Sequence, residues 1–137
     1  MDKCIKNVEY FVDAENRKVV AKIDVDRDAV FGEIVGLLNK TTPHNVFTDI
    51  MCVSDAMLIR GVYRGKVHAL PDDEFDIEYG KKRALLKATR KFLRDKKRVV
   101  ATYRKVIEEQ ATRVATLEEY LEKSINAIDK KLDAMVD

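Results

Sequence analysis

Five cations in the second half of the chain have the spacing best suited to binding a ligand. Arg83, Lys87, Arg90, Arg94 and Lys97 follow one another at steps of four, three, four and three residues. On a helix these steps place all five on one face, about 5–6 Å apart. Such a row could follow a phosphate backbone, surround the phosphates of a nucleotide or contact an acidic protein surface. Two alternatives remain open, namely a solvated face and a pairing with the acidic tail of an antiparallel neighbour.

Groups of acidic residues do not match a metal-binding pattern. Asp24, Asp26 and Asp28 resemble the start of a calcium loop, but Ala29 stands where that loop requires glycine. Five acids between residues 72 and 79 precede a helical pattern, where capping and the helix dipole favour them. We therefore expect no metal site.

Nucleophiles and general bases are also without a recognisable arrangement. His44 and His68 are the only histidines, and neither is spaced with cysteine or acid as a ligand set. Cys4 and Cys52 are too few and too far apart for a disulfide framework, so we expect two free thiols. No phosphate-binding loop, nucleophile elbow or zinc-protease motif occurs. The prediction is a protein with no enzymatic activity, no catalytic residues and no cofactor.

The composition indicates a globular chain rich in helix. Apolar residues make up 46% and charged residues 36%, whereas Gly and Pro are scarce. The first ten residues lack the apolar core of a signal peptide, and no segment approaches the roughly 20 apolar residues of a membrane span. We therefore expect a cytoplasmic protein without a membrane partner.

The elements that must position these residues begin with a predicted hairpin. Residues 5–12 and 18–25 are rich in β-formers, and the second stretch alternates apolar and polar residues. From about Asp28 the period changes to that of a short helix, which is capped by Asp26 or Asp28 and ends before Thr41.

Further strands are predicted between this helix and Pro71. A short apolar stretch at Val46–Val53 favours a strand, and Ser54-Asp55 favours a turn. Arg64-Gly65 is then a plausible two-residue hairpin loop between residues 57–63 and 66–70. The predicted total is four or five strands. Three acids, Asp72, Asp73 and Asp76, are candidate caps for the next helix.

A single long helix is predicted for the rest of the chain, because no Gly or Pro follows Gly80. Its charge is basic over residues 81–98, with ten Lys or Arg and one acid, and acidic over residues 106–137, with eight acids and four bases. This reversal favours an antiparallel partner. The alternative is an αα-hairpin with a break near residues 95–98.

An apolar stripe along this helix predicts self-association. It starts with Leu85, Ala88 and Phe92 and recurs from Val99 to Met135. The mean step over this second part is 3.6 residues when the polar Gln110 is counted, which favours side-by-side packing with little supercoil. The predicted association residues are Tyr103, Val114, Leu117, Leu121, Ile125, Ile128 and Leu132.

The stretch from Gly65 to Ala84 contains the pattern P-x-D-x-F-D between a strand and a helix. It resembles an element of small bacteriophage proteins, and also actinobacterial proteins with a double-stranded-RNA-binding-like fold. The resemblance implies structural roles: Phe75 pins the turn to the sheet, Asp76 caps the helix, and Gly80 allows the helix to approach the sheet. It also implies a phage accessory protein in the host cytoplasm that blocks host immunity.

The resulting prediction is an α+β protein with a head domain of residues 1–76 and a long basic-then-acidic helix of residues 77–137. The head has a small antiparallel sheet and a short helix, and the long helix is coiled-coil-like. The predicted function is a non-enzymatic homo-oligomer that inhibits or sequesters a host defence component, either a CRISPR effector or a nucleotide signal. The alternatives are a structural or assembly protein and a nucleic-acid-binding protein.

Overall fold

The computed structural model describes residues 1–39 and 59–135, and these form an α+β fold. In chain order the elements are β1 (Ile5–Asp13), β2 (Lys18–Val25), α1 (Arg27–Asn39), β3 (Val62–His68) and α2 (Ile77–Ala134). The predicted fold class is confirmed. The strand predicted at Val46–Val53 and the turn at Ser54-Asp55 lie outside the described residues.

The predicted hairpin of β1 and β2 is confirmed, with strand bounds within one residue of those expected. The two strands pair antiparallel from Ile5 opposite Val25 to Asp13 opposite Lys18. Arg17 closes the turn with a φ of 52°, the one positive φ among the described non-glycine residues. This element could be predicted from the alternation of apolar and polar residues, because the alternation determines which side of β2 faces the core.

The sheet has the order β1-β2-β3, and β3 runs antiparallel to β2 through Arg64 and Gly65. The predicted hairpin loop at these two residues is therefore wrong, and the two strands predicted on either side of it are one strand. The described residues contain three strands. Gly65 does not have the positive φ of a turn glycine. A Cβ there would collide with the carbonyl oxygen of Ala84 and lie 2.6 Å from the nitrogen of Ala88. Glycine is needed at this position because α2 passes directly over β3.

The core lies between one face of the sheet and the two helices. Its fully buried members include Val19, Ala21 and Ile23 from β2, Val30 from α1, and Ala84, Ala88 and Phe92 from α2. The ring of Phe92 lies 5.7 Å from that of Tyr63 on β3, at a tilted angle of 56°. Small residues on α2 bring the helix close to the sheet, and Phe92 fills the space beyond them.

The turn that leads into α2 has the roles expected for its residues. Phe75 packs against the buried cluster of Val19, Ala21 and Ala84. A Cβ on Gly80 would lie 3.0 Å from Cγ2 of Val19, so the helix start also approaches β2 closely. These contacts fix the direction in which α2 leaves the turn.

Each helix begins at one of its candidate caps. The carboxylate of Asp26 accepts a hydrogen bond from the N–H of Ala29 at 3.1 Å, and that of Asp76 accepts one from the N–H of Tyr79 at 3.2 Å. α2 then continues for 58 residues. The alternative of an αα-hairpin with a break at residues 95–98 is therefore wrong.

The chain divides into two compact units, Met1–Val100 and Ala101–Asp137. The first contains the sheet, α1 and α2 as far as Val100. The second contains the rest of α2. None of the helices in the described part of the chain is long and apolar enough to cross a membrane.

Candidate interaction surfaces

The five predicted cations do not all have the same surroundings. Lys87 is partly buried, and its ammonium group donates a hydrogen bond to the carbonyl oxygen of Lys66 at 3.1 Å. Lys91 donates in the same way to the carbonyl oxygen of Arg64 at 2.7 Å. Both acceptors belong to β3, which among the described strands pairs only with β2. Lys87 and Lys91 therefore satisfy carbonyl groups at an edge of the sheet, which is a structural task.

The other four cations are exposed. The guanidinium group of Arg83 lies 6.0 Å from the ring centroid of Tyr79, at the outer limit of a cation–π contact. Arg90, Arg94 and Lys97 form no ion pair with a carboxylate of residues 1–39 or 59–135. These three side chains are therefore available to a partner.

Exposed apolar side chains lie directly beside these cations. Leu86, Leu93 and Val100 are 60%, 44% and 48% exposed. Together with Thr89, the two leucines line one shallow depression with Arg90, Arg94 and Lys97. We call Leu86, Leu93, Val100 and these three cations the head surface. It is an apolar strip with a basic border.

A second apolar surface lies in the second unit. The side chains of Val114, Leu117, Leu121, Ile125, Ile128 and Leu132 are 50–66% exposed. Four of them, from Val114 to Ile125, line a shallow depression with Glu118 and Glu122. We call these eight residues the tail surface. Tyr103, the remaining predicted association residue, is only 4% exposed, so it does not belong to this surface.

A cluster of half-buried charges joins α2 to the N-terminus and to α1. The ammonium group of Lys96 lies 2.7 Å from Oε2 of Glu33 and 3.0 Å from Oδ2 of Asp2. The hydrogen bond from Lys96 lowers the pKa of Glu33. Burial alone would lower the pKa of Lys96, but the hydrogen bonds to Glu33 and Asp2 outweigh it and raise that pKa. All three groups are therefore held in their charged forms at neutral pH.

The thiol of Cys4 completes this cluster. It donates to Oε2 of Glu33 at 3.6 Å, and the backbone N–H of Cys4 donates to Oδ1 of Asp2 at 2.9 Å. Ligand atoms of Asp2, Cys4 and Glu33 lie within 4.8 Å of one another, which is close enough for a metal ion. The ammonium group of Lys96 already neutralises both carboxylates, and burial followed by the contact with Asp2 raises the pKa of the thiol to about 11. The cluster is therefore an internal ion pair in which the thiol keeps its proton at neutral pH.

Asp95 makes a second link, from α2 to β3. Its Oδ2 accepts a hydrogen bond from the hydroxyl of Tyr63 at 2.8 Å, and that hydroxyl accepts one from the N–H of Arg60 at 3.0 Å. Sequence reasoning missed both Asp95 and Lys96, since residues 95–98 were considered as a possible break. The available signal was that Asp95 is the single acid within a run of ten cations.

The acids at residues 24–28 and 72–79 and the described histidine lie away from the head surface and the tail surface. His68 lines a depression at the start of α2 with Asp73, Glu74, Asp76 and Arg83. Asp26 and Asp76 cap helices, and Asp24 accepts a hydrogen bond from the side chain of Asn7 at 3.3 Å. His68 is exposed at the end of β3, whereas His44 lies outside the described residues. Within residues 1–39 and 59–135, no histidine lines the depression of the head surface or that of the tail surface.

Comparisons with known proteins give no relative for this chain. No protein-family model, no curated protein and no solved structure matches it. The resemblance of residues 65–84 to small phage proteins therefore stays a prediction.

Proposed function

We propose that this protein is a non-enzymatic binding protein that works as a self-associated assembly, held together through the tail surface. The observation that carries the proposal is the exposure of six large aliphatic side chains on one face of α2, each at least half exposed. Burying one such side chain fully is worth about 1.5–3 kcal/mol. Contiguous apolar patches of this kind mark sites of protein association.

The helical state of this segment supports the same proposal. All residues from 111 to 135 except Ser124 are exposed, yet the segment is helical as far as Ala134. A helix without tertiary packing has little stability in water, because propensity alone offsets only part of its entropy cost. An amphipathic helix gains most of its stability by burying its apolar face. A second copy of the chain supplies such a face without requiring another gene product.

The experiment compares substitutions on the two sides of the same helix. Leu121→Asp with Ile128→Asp places two carboxylates within the tail surface. Thr116→Asp with Asn126→Asp changes the net charge by the same amount at exposed positions away from it. Light scattering gives the mass of each variant, and circular dichroism gives its helix content.

We expect the first double variant to be monomeric and the second to keep the mass of the wild-type assembly. The monomeric variant should also lose helix signal, since residues 111–135 lose their packing. An unchanged mass for Leu121→Asp with Ile128→Asp would reject the proposal.

A second candidate function is the binding of an anionic partner by exposed cations of α2. Arg83, Arg90, Arg94 and Lys97 are exposed, and the last three lack carboxylate partners among the described residues. This favours an anionic partner, which includes the nucleotide signal or host effector expected of a phage anti-defence protein and, as a further alternative, nucleic acid. Titration with a short polyphosphate tests this candidate. Binding should weaken as salt rises and should be lost in Arg90→Glu with Arg94→Glu.

A further inference from the structure

We propose that the head surface of one copy binds the tail surface of a second copy, with the two helices antiparallel. The inference rests on the proposed self-association and names the surface that covers each apolar strip. It begins from a mostly exposed line of apolar residues that runs along α2 and ends at Met135, the residue after this helix. Nine residues recur at intervals of seven, and these are Tyr79, Leu86, Leu93, Val100, Ile107, Val114, Leu121, Ile128 and Met135.

This line is separate from the residues that face the sheet. Eight of its nine members are 44–71% exposed, whereas Ala84, Ala88, Phe92 and Val99 are fully buried in the core. A sustained seven-residue period of apolar residues favours a left-handed supercoil of two helices. This differs from the packing with little supercoil expected from the mean step of 3.6 residues. The line passes through both the head surface and the tail surface, so one kind of packing fits both.

Charges flank the line on the same side in both surfaces. In the head surface, Arg90 stands four residues after Leu86, and Arg94 stands one residue after Leu93. In the tail surface, Glu118 stands four residues after Val114, and Glu122 stands one residue after Leu121. Equal offsets mean equal angular positions around the helix. The head surface therefore carries cations where the tail surface carries carboxylates.

An antiparallel pair brings these sides together. A two-fold axis between antiparallel helices places the same side of each seam against its equivalent, and every contact occurs twice. If the axis passes at Ile107, Leu93 faces Leu121. Arg94 and Glu118 are then offset by two residues, or about 3 Å along the helix, which long side chains span. A parallel pair in register would instead bring the cations of the two copies to the same level.

The test reverses charge on each surface separately. Arg90→Glu with Arg94→Glu reverses the head surface, and Glu118→Arg with Glu122→Arg reverses the tail surface. Lys105→Glu with Lys130→Glu is the control for the first variant, because it changes net charge equally at exposed positions opposite the seam. Sedimentation velocity gives the dimer dissociation constant of each protein, and of a mixture of the two reversed variants.

We expect each reversed variant to dimerise about tenfold more weakly than the wild type, because each new like-charge contact occurs twice. The control should stay within about threefold of the wild type. In the mixture every contact pairs opposite charges again, so the dimer should regain wild-type affinity, which also shows that both variants are folded.

Wild-type affinity of Arg90→Glu with Arg94→Glu would overturn the inference. If that variant also lost binding of polyphosphate, the head surface would be an anion site instead. Neither result would affect the self-association proposal, which depends on Leu121→Asp with Ile128→Asp.

Discussion

The ammonium group of Lys96 lies 2.7 Å from a carboxylate oxygen of Glu33, and this contact ties α2 to α1. The Lys96 side chain is only 15% exposed, and Asp2 lies on its other side at 3.0 Å. The pair is therefore partly shielded from water, so loss of Lys96 would leave two carboxylates without their common cation in a half-buried position. It also fixes the position of the head surface relative to α1, since Lys96 lies between Leu93 and Val100 in the sequence.

Replacement of Lys96 by Met should lower the free energy of unfolding by about 1–2 kcal/mol, because two neighbouring carboxylates lose their common partner. Lys97→Met is the matched control, since Lys97 is exposed and forms no ion pair within the described residues. Urea unfolding followed by circular dichroism measures both variants. Equal effects of the two substitutions would contradict the assigned role of Lys96.

The same cluster gives the protein a dependence on low pH. The hydrogen bond from Lys96 lowers the pKa of Glu33. Burial would raise the pKa of Asp2, but the hydrogen bonds from the Cys4 N–H and Lys96 outweigh it and lower that pKa. A carboxyl group whose pKa is lowered by folding stabilises the fold at pH values above its ordinary, unfolded pKa. This contribution is lost as the pH falls from the ordinary pKa through the lowered one. The ordinary values are 4.5 for Glu and 3.8 for Asp.

Wild-type stability should therefore fall between about pH 5 and pH 3 more steeply than that of Lys96→Met. Urea unfolding at a series of pH values checks this, and parallel curves for the two proteins would contradict it.

Gly65→Ala should lower the free energy of unfolding of the first unit, Met1–Val100, by about 1–3 kcal/mol. The added methyl group has no space between β3 and the backbone of α2. Gly61→Ala is the control, since nothing lies within 4 Å of a Cβ there and its φ is not positive. Thermal unfolding measures both. A neutral Gly65→Ala would mean that α2 does not approach β3 this closely.

Cys4 should react slowly with thiol reagents in the folded protein. Burial and the contact with Asp2 raise the pKa of its thiol from 9.0 to about 11, which reduces the thiolate fraction at pH 8 by about 100-fold. In a Cys52→Ser variant, the labelling rate in buffer should be at least that much lower than in denaturant. Equal rates would contradict the burial of Cys4.

The sequence predicted those parts of the fold that depend on local pattern. The alternation in β2 predicted the hairpin. Asp26 and Asp76 were among the predicted helix caps, and their carboxylates cap the two helices in the structure. The hairpin loop at Arg64-Gly65 was predicted because a glycine in a polar stretch is a typical turn signal, and this prediction was wrong. Here Gly65 is instead required by a helix about 20 residues away in the sequence.

The candidate surfaces were only partly predictable, for a related reason. The steps between the cations and the apolar residues of the tail could be counted along the chain. The partners of Lys96, however, are 63 and 94 residues distant, so no local pattern indicates them. Leu86 and Leu93 were missed because α2 carries two apolar lines, and only burial tells which of them faces the sheet.

Self-association of the intact chain is the central claim, and sedimentation equilibrium of the wild-type protein tests it most directly. The mass of one chain is 15.7 kDa. We expect the fitted mass to rise with concentration to at least twice this value, and helix content to rise with it. A mass of one chain at every concentration up to about 100 µM, where a specific interface of this kind should be occupied, would contradict the claim.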